Sequence, residues 1–340
     1  MSNLQFNFHP MTVKPHKEYP ELVKQLCDRG MVISDPEYAE KKLSQVGYYR
    51  LSGFWHISRK PNTNNSSLSN DFLEGVKFNE VYKLYIFDKK LRLLLLDIIE
   101  RLEVNIRTIM AHELGREDPL AYENIKLINS KFLKFNWKMK SSSYSYAKWQ
   151  DSLATKVQRN KDDCIEWHRK QEKALPFWVI TETWDFGTLS KYYSLLNGKY
   201  QRKIAKQFNI DENTLKSWLN EINIIRNLSA HHSRLWNRAF TDIAIPNFND
   251  EKLSKFKKAC SYFSSINLDG KSKSRVFSRI VVLWYLVSQT SKNYKWLEKL
   301  KDLIDTDFPN VPNAKLEFMG LGNYKTLPIE LMKQNYNEST

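Results

Sequence analysis

The stretch Leu91-Arg92-Leu93-Leu94-Leu95-Leu96-Asp97-Ile98-Ile99-Glu100-Arg101-Leu102-Glu103-Val104-Asn105-Ile106-Arg107-Thr108-Ile109 decides the fold class. Leu95, Ile98, Ile99, Leu102, Ile106 and Ile109 recur three or four apart, which is one stripe of a 3.6-residue helix. Leu91, Leu93, Leu94 and Leu96 put apolar surface on other faces, so this helix is expected to be central and covered on several sides. The pattern runs from Asn79 to Leu114, as one helix or two joined near Lys89, and Gly115 ends it.

Outward from that helix the signals stay helical. On the N-terminal side, Glu21 to Arg29 reads as a short helix stopped by Gly30. Ser34-Asp35-Pro36-Glu37 then supplies a cap and a first-turn proline for a helix to about Gln45. Pro61 to Asn70 is Asn/Ser-rich and reads as an exposed loop. On the C-terminal side, helices are expected over Tyr146 to Lys173, Phe177 to Thr183, Leu189 to Leu196, Leu253 to Phe263 and Val276 to Leu300. Asp211 caps another, whose inner face is Leu215, Trp218, Leu219, Ile222 and Ile225. With 10 Gly and 11 Pro in 340 residues, the chain lacks the turn residues a many-stranded sandwich needs. No strand alternation persists. The expected fold is all-α, a multi-helix bundle over 71–304 with a helical N-terminal extension over 1–70 and an irregular tail over 305–340.

The charge points to a class of partner. The chain carries a formal +15, concentrated in two stretches. Lys252 to Lys301 holds 12 Lys/Arg against Asp269 and Glu298, and Lys131 to Lys173 holds 11 against 5 acids. A polyanion is the natural partner, and nucleic acid the commonest one; a solvated lysine surface is the bland alternative. Lys271, Lys273, Arg275 and Arg279 are the candidate phosphate contacts, with His232 and Arg234 beside the motif below. Tyr48, Tyr49, Phe54 and Trp55 can stack on bases or fill a core, and the core reading is favoured. Cys27, Cys164 and Cys260 form no CxxC pair, which speaks against a disulfide scaffold or cysteine zinc site. The longest apolar run, Ile280 to Val287, is too short for a bilayer, and the N-terminus has no signal-peptide core. The expectation is a cytoplasmic protein with no membrane contact.

The chemistry concentrates at Arg226-Asn227-Leu228-Ser229-Ala230-His231-His232. RNA is cleaved when its own 2′-hydroxyl attacks the adjacent phosphorus. That needs a proton removed, a crowded phosphorane stabilised and a leaving oxygen protonated. Histidine moves protons near neutrality, and the arginine fork donates two hydrogen bonds to phosphate while staying charged. Asn227 and His231 are four apart and share a helix face. Arg226 and His231 lie about 140° apart on an ideal helix, so two motifs facing each other close the site better than one. That favours a homodimer or an internal second motif. The second arginine–histidine pair, Arg107 and His112, is a possible half-site; there Thr108 replaces the asparagine and Glu103 sits one turn before Arg107, which favours a structural role. Asp162-Asp163-Cys164 with His168 is a poor metal set among lysines, and no phosphate-binding glycine loop occurs, so neither metal nor cofactor is called for.

These blocks resemble the abortive-infection (Abi) proteins of the AbiD/AbiF type, in the HEPN superfamily. The resemblance covers Gly30 to Asp35, Val46 to Trp55, Phe78 to Arg107, Leu175 to Trp178, Phe186 to Ser190 and Arg226 to Arg238, in order. It implies a HEPN-type helical fold, anti-phage defence, and cleavage or binding of RNA, with relatives linked to structured non-coding RNA and to the ancestry of type VI CRISPR nucleases. It places Arg226, Asn227 and His231 at the R-N-x-x-x-H positions, with His232 extending the motif. Two readings stay open: a metal-independent ribonuclease, or a non-catalytic protein that holds a structured non-coding RNA.

Overall fold

The computed structural model describes residues 14–62, 67–133, 145–291, 293–322 and 324–334. The chain divides into two compact units: one reaches to Ile86 and includes Phe308–Ala314, the other spans Phe87–Asp307 and resumes at Lys315.

The first unit opens with α1 (Tyr19–Asp28), closed at its start by a reciprocal cap between Glu18 and Glu21. α2 (Pro36–Val46) starts where expected, the Asp35 carboxylate accepting from the Tyr38 amide at 2.9 Å. α3 (Tyr48–Trp55) follows directly through Gly47. The Asn/Ser-rich stretch is then bracketed by a two-stranded antiparallel ribbon, β1 (Arg59–Pro61) and β2 (Leu68–Phe72), with Arg59 opposite Phe72. The expected loop is therefore narrower than the composition suggested, since polar residues pair as readily as apolar ones when only one ribbon face needs cover. It is the only sheet among the described residues. The core of this unit is Leu26, Leu43, Leu51, Phe54 and Trp55. The returning segment is pinned to it by Ser58 Oγ donating to the Pro312 carbonyl at 2.6 Å and Asn313 Nδ2 to the Ile57 carbonyl at 2.8 Å.

α4 (Phe78–Gly115) is one helix of 38 residues, unbroken at Lys89. Its first turns belong to the first unit and the remainder to the second. Leu95, Ile98, Ile99, Leu102 and Ile106 of the expected stripe are buried, with Leu91 and Met110 beside them; Ile109, Leu94 and Leu96 are half-buried and Leu93 is exposed, so the helix is covered on fewer sides than its leucines suggested. The second unit continues with α5 (Ser145–Arg159) and α6 (Asp163–Lys170), two helices where the sequence suggested one. The break falls where Asn160 and Asp162 exchange side-chain-to-backbone and side-chain hydrogen bonds that compete with the helix ladder. Then come α7 (Phe177–Ile180), α8 (Phe186–Leu195), α9 (Gly198–Lys206) and α10 (Glu212–Ala230). α11 (Lys257–Ile266), α12 (Gly270–Lys273), α13 (Val276–Ser288), α14 (Lys295–Asp307) and α15 (Ile329–Lys333) complete it. The protein is predominantly α-helical.

The core of this unit places the candidate site. α10 packs on α8, α9 and α13, and its inner residues Leu215, Trp218, Leu219, Ile222 and Ile225 are fully buried. Every residue of α13 is buried, which accounts for its unbroken apolar run. No helix among the described residues is long and apolar enough to cross a membrane. Trp149, Phe177, Trp184 and Tyr192 form an aromatic cluster linking α5, α7 and α8, Trp149 stacking on Tyr192 and Trp184 meeting the other three edge-to-face. The tail contributes more than its composition promised. Met319, Leu321, Leu327 and Met332 are buried, and Trp284 donates to the Met332 carbonyl at 3.0 Å. Gly320 makes that possible: at φ +94° it lies where a Cβ would meet Arg275 Cβ at 2.6 Å.

Candidate functional site

α10 begins with Asp211 accepting the amides of Asn213 and Thr214 at 2.9 and 3.0 Å. It ends in the motif. The His231 amide still bonds to the Asn227 carbonyl at 2.9 Å, one regular turn back. His232 then takes a left-handed conformation (φ +60°), its amide bonding to Ser229 at 3.1 Å while the Ser233 amide returns to Leu228 at 2.8 Å. This is a Schellman stop. The left-handed position ordinarily goes to glycine; a histidine there is strained, and such strain collects at functional sites. His231 and His232 are both exposed.

Arg226 lies on the flank of α10 nearer its buried face. Its Nη1 donates to Asn227 Oδ1 at 3.2 Å, and its charge is felt by Glu103 on α4. The turn after the helix is held from α4 as well. Asp88 is wholly buried, pairs with Arg92, and accepts the amides of Leu235 and Trp236 at 2.9 and 2.8 Å. Burial pushes the Asp88 carboxyl up, against the pull of Arg92 and the two amides. A carboxylate inside the longest apolar helix thus fixes the exit direction of the motif. Sequence reading passed over both residues, although an acid and an arginine four apart on a mostly buried helix were a visible signal.

The second pair is placed differently. Arg107 is enclosed on α4 and donates to Glu103 at 2.9 Å, to the Trp184 carbonyl at 2.7 Å and to Glu182 at 3.2 Å. Burial pushes the Glu103 carboxyl up, while Arg107 and Arg226 pull it down and Asp185 repels it. Glu103 is thus bonded to Arg107 and lies in the field of Arg226. His112 is exposed near the end of the same helix.

A groove of about 470 Å³ runs between α8 and α10, lined by Ser190 and Lys191 on one side and Lys216, Ser217, Asn220 and Asn223 on the other. With Asn213 and Asn227, the α10 residues fall within an arc of about 120°, opposite the apolar face. The stripe leads to His231. Burial, then repulsion from Lys131 and Lys191, hold the Lys216 ammonium below its usual range. An anion in the groove relieves that repulsion. Lys131 and Lys216 both lie over the Phe132 ring, at 4.8 and 5.9 Å. Asn223 Oδ1 has no hydrogen-bond partner among the described residues, and it faces Gly187, whose missing Cβ leaves α8 and α10 room to approach. This polar stripe is the counterpart of the apolar one and was readable at the same spacing. Most of the basic aromatic stretch from Lys131 to Ser145 lies outside the described residues.

The remaining basic candidates separate. Lys271 is exposed and Lys273 half-buried. Arg275 donates to the Asn237 carbonyl at 2.9 Å. Arg234 is half-buried and in the field of Asp88. Arg279 is not a phosphate contact. It is fully buried, pairs with Glu221 of α10 at 2.5 Å, donates to the Lys273 carbonyl at 2.5 Å, and lies over the Phe240 ring. Its place in the sequence shows a cation but not the carboxylate 58 residues earlier that takes it inside. His168 is likewise engaged, through Nδ1 to the Cys164 carbonyl at 2.7 Å.

A family model described as Abi-like protein matches residues 41–237, more than half of the chain, from within α2 to the turn after α10. No curated protein and no solved structure matches.

Proposed function

The chain belongs to the Abi-like protein family, and from that premise we propose that it is an abortive-infection ribonuclease of the HEPN type, cutting RNA without a metal. The observation that carries this is the end of α10. There exposed His231 and, one turn beneath it, Asn227 continue the polar face of α10 whose earlier residues line the groove with Lys191 and Lys216, and Arg226 donates to Asn227. In this reading the sugar–phosphate backbone follows the groove, with Lys191 and Lys216 on phosphates and the Ser217 and Asn220 side chains beside the sugars.

The chemistry is balanced by the RNA itself. The 2′-oxygen forms a bond to phosphorus as the bond to the 5′-oxygen breaks. One histidine takes the 2′-hydroxyl proton and another supplies a proton to the leaving oxygen. Arg226 donates to the phosphorane oxygens and Asn227 holds Arg226 in place. Two proton-transfer groups at one phosphate are best supplied by two copies of α10, so the working unit is a homodimer.

End-group analysis of RNA cut by the full chain tests this. Products should carry 2′,3′-cyclic phosphate and 5′-hydroxyl ends, and cutting should survive EDTA and vanish with His231→Ala. Products with 3′-hydroxyl ends, or loss of cutting with EDTA, refute the mechanism. Salt-sensitive binding that survives His231→Ala, with no cutting by the parent, moves the reading to a protein that holds a structured non-coding RNA.

A further inference from the structure

A second candidate site lies far in sequence from that helix end, wholly within the first unit. It is a cleft of about 1030 Å³ between α1, α3 and the ribbon, large enough for a nucleotide. Its floor is a directed chain of hydrogen bonds. Lys17 donates to Gln25 Oε1 at 2.5 Å, and Gln25 Nε2 donates to the Tyr48 hydroxyl at 3.0 Å. Arg29 donates to the same hydroxyl at 3.0 Å. A tyrosine hydroxyl offers two acceptor sites at most and one donor. Both acceptor sites of Tyr48 are taken, so its own hydrogen is left to give, and Tyr48 lines the cleft. The network therefore presents a donor, backed by two cations, and asks for an acceptor or anion.

A third cation is fixed close by. Arg59 is held by Nε on the Ser69 carbonyl at 2.5 Å and by Nη2 on Asn70 Oδ1 at 2.7 Å, with Nη1 remaining to donate among the described residues. Lys14 also lines the cleft, whereas the one acid there, Glu18, is occupied with His16 and with capping α1. One wall is aromatic. Tyr49 packs edge-on to Tyr48 with ring centres 5.7 Å apart, Tyr48 to Trp55 at 5.2 Å, and Trp55 to Phe72 at 6.3 Å. Tyr49 is 76% exposed and lines the cleft, so its ring is accessible to a base. Buried Phe54 and Trp55 serve as core, but Tyr48 and Tyr49 do not.

We propose that this cleft binds a phosphorylated nucleotide, with its phosphate on Tyr48, Arg29 and Arg59 and its base against Tyr49. The ligand is either a free nucleoside monophosphate or the 5′-phosphorylated end of an RNA strand, which share this chemistry. The site is independent of the helix end and of the ribonuclease reading.

Calorimetry on the full chain carrying Arg226→Ala and His231→Ala tests it, because any binding at the helix end is then weakened. The probes are AMP, ribose 5-phosphate, inorganic phosphate, and an eight-nucleotide RNA with a 5′-phosphate or a 5′-hydroxyl. AMP should bind, and Tyr49→Ala should weaken it about tenfold, the loss of one stacked base. Tyr49 is exposed, so that variant keeps its fold, checked by an unchanged melting temperature. Arg59→Gln should weaken AMP and ribose 5-phosphate alike. AMP binding no weaker than that of the RNA identifies a free nucleotide. Tighter binding of the RNA, lost with the 5′-hydroxyl, identifies a strand end. No AMP or 5′-phosphorylated RNA binding at millimolar concentration, binding indifferent to Tyr49→Ala, or ribose 5-phosphate binding as tightly as AMP, overturns the proposal.

Discussion

Arg107 with His112 and Arg226 with His231 have the same spacing, and both lie toward the C-terminal ends of buried helices, yet the protein treats them differently. On α4 the arginine is 13% exposed and has three acceptors from Glu103, Glu182 and Trp184. On α10 the arginine has one hydrogen bond among the described residues, to the neighbouring asparagine. The α4 histidine stands on a continuing helix, with the Arg116 amide still bonded to its carbonyl. The α10 histidine is the cap itself, followed by a strained left-handed residue. Spacing alone does not make a site. What distinguishes the two is how much of each arginine's hydrogen-bonding capacity the fold has already used.

Activity should separate them most widely. His231→Ala and Arg226→Ala should each lower RNA cutting by about 10²–10⁴-fold, with far-UV circular dichroism unchanged. Arg107→Ala should lower it only in proportion to the folded protein lost. A ribonuclease assay on folded fractions of all three decides; equal losses would make the α4 pair a true second half-site.

Stability should order them the other way. Removing Arg107 leaves Glu103 half-buried with only the more distant Arg226, and breaking an enclosed ion pair costs about 3–5 kcal/mol. Arg226→Ala removes a single hydrogen bond and should cost about 1 kcal/mol. Urea unfolding of both variants checks the order. A cost for Arg226→Ala as large as that for Arg107→Ala would mean that its charge, too, is spent on Glu103.

A smaller effect is expected next door. His232→Gly should raise stability by about 0.5–1 kcal/mol, since glycine takes the left-handed conformation without a Cβ clash. The same change should weaken RNA binding, as a hydrogen-bonding ring beside His231 is lost. Greater stability with unaltered binding would leave the histidine no functional reason to sit there.

How much of this the sequence disclosed follows from the range of the interactions. The α4 stripe, the Asp211 cap and the inner face of α10 are local patterns, set by period and by neighbours within a turn. The Schellman stop was not foreseen, because a histidine at the left-handed position gives none of the glycine signal. Arg279 looked like a surface cation beside Lys271 and Lys273 because its partner, Glu221, is distant in sequence. Asp88 drew no reading from the sequence, because the backbone of the turn it holds lies about 150 residues on. The α8–α10 groove needs two helices side by side, which no single-helix pattern contains. The tail looked irregular and is so in part, but burial of Met319, Leu321 and Met332 depends on shape rather than on period.

The last test bears on the acids around Arg107. Asp185 caps α8 through the Thr188 amide at 2.7 Å and pairs with Lys156 at 2.6 Å. Burial pushes its carboxyl up, but Lys156 and Thr188 outweigh that and leave it at about 2, below its ordinary 3.8. The sign follows from linkage: a depressed acid adds stability above its unfolded value and loses it as pH falls through its folded value. Asp185→Asn keeps a capping oxygen and removes the charge. The stability difference between parent and variant should be constant above pH 3.8, shrink on acidification, and be largely gone near pH 2. It should be under about 1 kcal/mol, because the pair is partly exposed and screened. The charge also repels Glu103, so Asp185→Asn should lower the Glu103 carboxyl toward its ordinary value, which carbon NMR of the carboxyl can follow. Glu103 would then hold Arg107 more firmly and keep its charge to lower pH. If Glu103 does not move, the acids around the α4 arginine act separately, and its enclosure rests on geometry rather than on charge.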